Sequence, residues 1–223
     1  PASHPGEGSK LYEAVQAIGL ELCPELGVSI PVGKDSMSMK MKWDNKEVTA
    51  PLSLVITAFG PVGNTSKTWT PQLIKTEEPT VLVLVDLAAK VLKSLGGSAL
   101  AQVYNQVGDS SPNVHDASIL KSFLNGITAL HQTDLVLSYH DRSDGGLIVT
   151  LLEMAFAGRS GLNVDLTNES EDALTSLFNE ELGAVFQVSK SRYEEFLSVL
   201  KEAGIPSDLV SIVGEPVFNK EQS

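Results

Sequence analysis

The sequence predicts an α+β fold in two parts, and three observations indicate this class. Residues 37–43 alternate apolar and polar side chains, which is the period of a strand. Segments 10–22 and 147–157 have the apolar patterns of helices. Residues 60–79 are rich in proline and glycine and separate a strand-rich part from one that mixes strands with helices. We therefore expect one domain over residues 1–75, including this linker, and a second, mixed-sheet domain over 76–223.

The first part is expected to contain one helix and three strands. Five apolar residues at helical spacing predict the helix, which Pro24 and Gly27 end. The turn Asp44-Asn45-Lys46 joins the last two strands. The strand before this turn carries Met37, Met39, Met41 and Trp43, and the rest of its sheet would have to come from residues outside this sequence. We therefore expect its apolar face to be exposed. The predicted elements are a helix over 10–22 and strands over 28–32, 37–43 and 48–59.

The second part is expected to alternate strands with helices. The continuous apolar run 81–85 predicts a central strand, and the segment 147–157 predicts a helix that is buried on nearly every side. Ser191 and Glu194 have the spacing of a capping box at the start of the last helix, and Gly204 ends that helix. The other expected elements are helices over 97–107 and 116–132, strands over 135–138, 162–166, 183–188 and 210–213, and a short helix between the middle two of these strands.

Charge and composition exclude several kinds of partner. Sixteen basic and 28 acidic residues give a net charge of −12, so the chain repels nucleic acids and anionic membranes. No apolar run approaches the length of about 18 residues that a membrane span needs. The single cysteine, Cys23, excludes a disulfide within the chain and fits a cytoplasmic location. A phosphate ligand would therefore depend on backbone N–H groups, a helix N-terminus, single lysines or a metal.

The first segment that can carry chemistry is Gly33-Lys34-Asp35-Ser36, between two predicted strands. Glycine lets a ligand approach the backbone, and the next three residues add a cation, a carboxylate and a hydroxyl. The segment is not a phosphate loop of the G-x-x-x-x-G-K-[ST] type, because position 28 is valine and no helix is expected to follow. The same residues also fit a polar hairpin connection, which is the commoner role of such a turn.

The second segment is His-Asp-Arg-Ser-Asp-Gly-Gly at 140–146, between a strand end and a helix start. Loops at the carboxyl ends of strands often bind ligands. Two carboxylates here can hold Mg²⁺, Ser143 can contact a phosphate, and free N–H groups near Gly145 and Gly146 favour an anion. A purely structural loop fits equally well, with Ser143 or Asp144 as a helix cap and the glycines allowing close packing.

Longer motifs resemble a known family. The segments VGKDSMSMK at 32–40, GGSALAQVYNQVGD at 96–109 and SYHDRSDGGLIVTLLEMAFAGRSGLNVDL at 138–166 are similar to phosphoribosylformylglycinamidine synthase of the large, single-chain kind. The resemblance extends over nearly the whole chain. It implies the fold of aminoimidazole ribonucleotide (AIR) synthase, with the second half of the second amino-terminal part followed by the second carboxy-terminal part of a synthetase region that has two repeats. It also implies purine biosynthesis, in which formylglycinamide ribonucleotide, ATP and glutamine give the amidine, ADP, phosphate and glutamate.

The same resemblance implies roles for individual residues. It places Mg²⁺ at Asp141 and a nucleotide phosphate at Ser143, in a nucleotide site completed by Gly145 and Gly146. The family's other magnesium ligands lie on segments upstream of this sequence. A contact with substrate and ATP at an interface between two repeats is implied for the turn that contains Gly33, Lys34 and Ser36. Short relatives carry asparagine where Lys34 stands, so the roles of the glycine and the serine transfer most directly.

The resemblance also implies that the chain is a piece of a larger enzyme. The family's glutaminase and its first synthetase repeat are not in this sequence, and we expect both as partners within the same parent chain. The piece alone is expected to be inactive. One alternative is a non-catalytic module, whose bound nucleotide or packed core supports the catalytic repeat. Another is a different enzyme of the same fold, such as selenophosphate synthetase or thiamine-phosphate kinase.

Overall fold

A computed structural model describes residues 2–36, 39–167 and 172–218. The chain forms two compact units, which divide between Gly63 and Asn64. This division precedes the predicted boundary at residue 75, because the segment that follows Gly63 packs against the second unit. Within that segment Leu73 is buried against one core cluster, and Trp69 packs against the other.

The first unit contains a helical segment and one hairpin. Helix α1 spans Glu7–Gln16, continues through a π-helical turn at Ala17–Leu22 into α2 at Cys23–Leu26, and ends at Gly27 with φ +74°. Strands β1 (Lys40–Trp43) and β2 (Lys46–Thr49) pair antiparallel. The predicted helix and turn are confirmed, but Pro24 lies inside α2 and does not end the helical segment. The strand predicted at 28–32 is wrong, and the one predicted over 48–59 is limited to β2, so the unit is less rich in strands than expected.

The apolar residues of β1 are exposed, as expected. Met41 is 68% exposed and Trp43 is 43% exposed, while Met39, just before the strand, is 60% exposed. The lysines between them are also exposed, so neither face of β1 is buried within this unit. Met37 lies outside the described residues.

The second unit is built on a five-stranded sheet. Its strands are β3 (Thr80–Asp86), β4 (Val136–Asp141), β5 (Gly161–Val164), β6 (Gly183–Ser189) and β7 (Val210–Val217), in the order β4-β6-β3-β7-β5. All seven residues of the central strand β3 are buried, which confirms that prediction. Every neighbouring pair is antiparallel, so the predicted mixed sheet is wrong in its strand directions.

Helices cover both faces of this sheet. Val81, Val83 and Val85 point into a cluster that includes Phe123 and Phe196, while Leu82 and Leu84 belong to the opposite cluster with Leu147, Leu151 and Met154. Since successive side chains of a strand point to opposite faces, one apolar run supplies both cores. The helices are α3 (Ala99–Val103), α4 (Ala117–Leu130), α5 (Gly146–Gly158), α6 (Ala173–Phe178) and α7 (Tyr193–Glu202).

Two local predictions in this unit are wrong. Helix α5 is not buried on nearly every side, because Leu152 is 42% exposed and Phe156 is 74% exposed. Ser191 does not cap α7, since its hydroxyl donates to Oε2 of Glu78 at 3.0 Å and a 3₁₀ turn at Lys190–Arg192 precedes the helix. Within the described ranges, none of the helices has the length and apolar character needed to cross a bilayer.

Candidate functional site

The loop between β4 and α5 displays two of the predicted site residues to solvent. Asp141 is the last residue of β4, and its side chain is 67% exposed. Ser143 is also exposed, whereas the side chain of Arg142 between them is completely buried. Asp141 and Ser143 therefore face solvent near the N-terminus of α5, and the buried Arg142 between them anchors the loop.

Arg142 is held by acceptor groups on three residues. Its Nη2 donates to Oδ1 of Asp86 at 2.7 Å, and its Nε donates to the carbonyl of Glu181 at 2.6 Å. The same Nη2 also reaches the carbonyl of Leu182 at 3.1 Å. Charge-assisted hydrogen bonds of this kind are stronger than neutral ones and fix the direction of the guanidinium. The middle of the motif is thereby fastened to the end of β3 and the start of β6.

A second buried cation completes this ion cluster. Nζ of Lys93 lies 2.9 Å from Oδ2 of Asp86, and the lysine side chain is only 2% exposed. Burial alone would raise the pKa of Asp86, but the charges and hydrogen bonds of Arg142 and Lys93 outweigh it and lower that pKa. Asp86 is therefore a charged carboxylate paired with two cations, one of which, Arg142, belongs to the loop.

The two glycines of the motif are required by the backbone. Gly145 has φ +86° and Gly146 has φ +73°, both in the left-handed region that side chains disfavour. A Cβ on Gly146 would lie 2.6 Å from the carbonyl oxygen of Asn179 and 2.7 Å from that of Leu177. The close packing expected for these glycines is thus present.

The N–H groups of these glycines are not free, contrary to expectation. The N–H of Gly146 donates to the carbonyl of Ser143 at 3.0 Å, and the N–H of Gly145 donates to Oε1 of Glu180 at 2.7 Å. An anion at the start of α5 would therefore meet a loop whose glycine donors are already engaged.

His140 joins β4 to α5. Its Nε2 lies 2.8 Å from Oε2 of Glu153, and its Nδ1 lies 3.8 Å from Oδ1 of Asp141. Glu153 is half exposed, so it is a surface partner of this histidine and not a buried carboxylate. Burial, with a contribution from the charge of Asp141, raises the pKa of neighbouring Tyr139 to about 12.

The donor set at Asp141 does not make a complete magnesium site. The described residues contain no group of three or more histidine, cysteine, aspartate or glutamate side chains that could hold a metal ion. Mg²⁺ demands nearly octahedral oxygen coordination. Asp141 can supply one such oxygen, and the remaining ligands would have to come from other groups.

The Gly33 segment lies in the first unit, apart in sequence from this loop. Lys34 donates from Nζ to Oγ of Ser36 at 2.8 Å and to the carbonyl of Asp35 at 3.1 Å, and all of these residues are exposed. Nothing lies within 4 Å of a Cβ built on Gly33, so the structure gives no packing reason for glycine there.

Sequence reasoning missed the buried acidic residues next to the loop. Glu181 is fully buried and accepts from the backbone N–H groups of Ser94 at 3.2 Å and Asn113 at 3.3 Å, while His115 lies 3.2 Å from it. Asp86 was detectable in principle, since it is a charge that directly follows a fully apolar run. No comparable local signal distinguishes Glu181.

Each of the two units matches a known protein family. Residues 1–61 match the FGAR-AT PurM_N-like domain, and residues 80–219 match the C-terminal domain of AIR synthase related proteins. The second match covers more than half of the chain and contains the whole β4–α5 loop. The chain belongs to the family of AIR synthase related proteins.

Two curated relatives of this AIR synthase related chain are enzymes with the same name. Phosphoribosylformylglycinamidine synthase of Saccharomyces cerevisiae is 65% identical to it over 226 residues, which cover 100% of this chain. The same enzyme of Schizosaccharomyces pombe is 53% identical over 99% of this chain. The chain spans 17% of the length of each relative. The predicted resemblance to the large, single-chain synthases is confirmed.

Solved structures support the fold of this AIR synthase related chain. Thermotoga maritima PurL complexed with FGAR gives a TM-score of 0.52 at 15% identity, covering 69% of this chain and 26% of that one. Phosphoribosylformylglycinamidine synthase II from the same organism gives 0.51 at 14% identity, covering 69% and 24%. The α+β class and the AIR synthase-like fold are thus confirmed.

Proposed function

We propose that the chain is part of the ATP-dependent synthetase region of a phosphoribosylformylglycinamidine synthase, acting in the cytoplasm. The 65% identity to the yeast enzyme along the entire chain supports this function. Because the chain spans 17% of that enzyme's length, the proposal assigns the glutaminase and the first synthetase repeat to other segments of the same protein. The chain alone is then inactive.

Within this function, the β4–α5 loop contacts a nucleotide phosphate. The supporting observation is the alternation along the loop, which buries Arg142 and exposes Asp141 and Ser143 at the start of a 13-residue helix. The partial positive charge of a helix N-terminus favours phosphate, and the Ser143 hydroxyl adds a donor. Asp141 contributes one oxygen ligand to Mg²⁺, while Gly145 and Gly146 shape the turn that displays both side chains.

The reaction makes positioning the main task of such a loop. ATP phosphorylates the amide oxygen of formylglycinamide ribonucleotide, and ammonia from glutamine then displaces the phosphate. Phosphoryl transfer of this kind depends mostly on orientation and electrostatic stabilisation. Gly33, Lys34 and Ser36 are proposed to face the substrate and ATP at an interface with another repeat. Lys34 would first have to leave its hydrogen bond with Ser36.

A non-catalytic module is the second candidate function. It is favoured by one observation, namely that the N–H of Gly145 is already bonded to Glu180, so the loop is complete without a ligand. In that case the buried ion cluster and the packed sheet would support the catalytic repeat, and turnover would not depend on the exposed side chains of the loop.

Asp141→Asn in the full-length protein separates the two candidates. Chemistry at this loop predicts that turnover falls by about tenfold or more, which corresponds to roughly 1.4 kcal/mol in the barrier, with unchanged melting temperature. Asp208→Asn is the control, because Asp208 is an exposed carboxylate of the same unit that lies outside this loop. A lowered melting temperature with turnover preserved would favour the structural module. Failure of the full-length protein to convert formylglycinamide ribonucleotide would point to another enzyme of this fold.

A further inference from the structure

The carboxylate of Glu180 occupies the position where an anion would meet the start of α5. Its Oε1 accepts hydrogen bonds from the backbone N–H groups of Gly145 and Ala99, each at 2.7 Å. These donors belong to two segments that lie far apart in the sequence. Because Gly145 immediately precedes the first turn of a 13-residue helix, the helix dipole also favours negative charge there.

The surrounding residues hold the backbone of Glu180 in place. The side chain of Asn179 donates to the carbonyl of Thr175 at 2.7 Å and accepts from the N–H of Glu181 at 3.3 Å. Glu181 is itself fully buried. Glu180 is only partly buried between these neighbours, so part of this residue is open to solvent.

We infer that Glu180 competes with phosphate at the proposed nucleotide loop, where its carboxylate takes the place of a phosphate group at Gly145. A phosphate oxygen and a carboxylate oxygen both need the N–H of Gly145 as donor, and their negative charges repel each other. Glu180 therefore lowers the affinity of the loop for phosphate, and phosphate binds through Gly145 only after Glu180 withdraws. This inference rests on the proposed function, since it concerns the same loop.

The test compares phosphate binding by the full chain and by its Glu180→Ala and Glu180→Gln variants. Inorganic phosphate is titrated while the backbone amide signal of Gly145 is followed by NMR. Loss of the competing carboxylate is expected to tighten phosphate binding by about tenfold in Glu180→Ala, given the strength of charge-assisted hydrogen bonds. Glu180→Gln should give a smaller gain, because its amide oxygen can still accept from the N–H of Gly145 although it lacks the negative charge. It also serves as the test variant if Glu180→Ala does not fold.

Glu77→Ala is the control for net charge, because Glu77 is exposed on the segment before β3 and its loss removes the same charge. It is expected to change phosphate affinity by less than about twofold, since solvent and salt screen exposed charges. Equal affinities in the wild type and both Glu180 variants would overturn the role of Glu180. The nucleotide proposal would then still stand if Ser143→Ala weakened phosphate binding. No response of Gly145 to phosphate in any variant would overturn both.

Discussion

The buried ion cluster of Asp86, Lys93 and Arg142 is the feature whose removal should most disturb the candidate site. Asp86→Ala leaves two cations, 2% and 0% exposed in their side chains, without the carboxylate between them. Removing one partner from a buried ion pair costs about 3–5 kcal/mol, because the remaining charge stays in a poorly solvated position. For a domain of about 150–250 residues, each kcal/mol lowers the melting temperature by about 2–4 °C. The expected decrease is therefore roughly 6–20 °C.

Thermal unfolding followed by circular dichroism measures this effect directly. The control is Asp208→Ala, which removes a carboxylate 2.7 Å from Lys90 in an ion pair whose two side chains are both more than half exposed. Exposed ion pairs contribute about 0–1 kcal/mol, so the control should melt within a few degrees of the wild type. Equal decreases in the two variants would refute the reasoning, because burial would then make no difference to the value of the pair. Asp86→Asn should lie between them, as it keeps the shape of the side chain and removes its charge.

Three further predictions concern the same unit. In urea unfolding, Gly146→Ala should destabilise the fold far more than Gly97→Ala. Both glycines have positive φ, so each substitution costs about 1 kcal/mol in the backbone. Of the two, only Gly146 has carbonyl oxygens within 3 Å of the new Cβ. The pKa of Asp86 is lowered in the folded chain, so the ion cluster should stabilise the fold fully above the ordinary pKa of 3.8 and lose this effect as pH falls through the lowered value. The acid unfolding curve of Asp86→Asn should lack this contribution. Gln187→Ala should speed hydrogen exchange at the Ile74 amide and cost about 1–3 kcal/mol, because the buried glutamine pairs with both the N–H and the carbonyl of Ile74 at 2.8 Å.

The secondary structure was predictable where one segment carries its own pattern. The run 81–85 is apolar throughout because its alternate residues face two different cores, and this was enough to identify the central strand. The apolar run after β2 gave a similar signal but contains no strand, and Val55 and Phe59 within it are 89% and 94% exposed. A strand needs partners for its backbone hydrogen bonds. Local pattern says nothing about whether such partners are present.

The candidate site was also predictable only where its residues lie close together in the sequence. Asp141 and Ser143 could be selected from sequence because they lie together in one short motif. Glu180 bonds to a residue 35 positions away, and Asp86 pairs with one 56 positions away, so their roles depend on how antiparallel strands bring distant loops together. The predicted sheet had the wrong strand directions, and no reasoning from it could have placed these carboxylates beneath the loop.

The structure also separates the motif at 140–146 into residues that the fold requires and residues that it does not. Pairing with Asp86 accounts for the anchor Arg142, and close packing accounts for the two glycines, where an added Cβ would lie within 3 Å of other atoms. Pairing with Glu153 accounts for His140. The carboxylate of Asp141 and the hydroxyl of Ser143 are turned to solvent, where stability gains little from them. The proposed nucleotide site gives these two side chains a role, and a variant that lacks both is expected to lose ligand binding while its melting temperature stays close to that of the wild type.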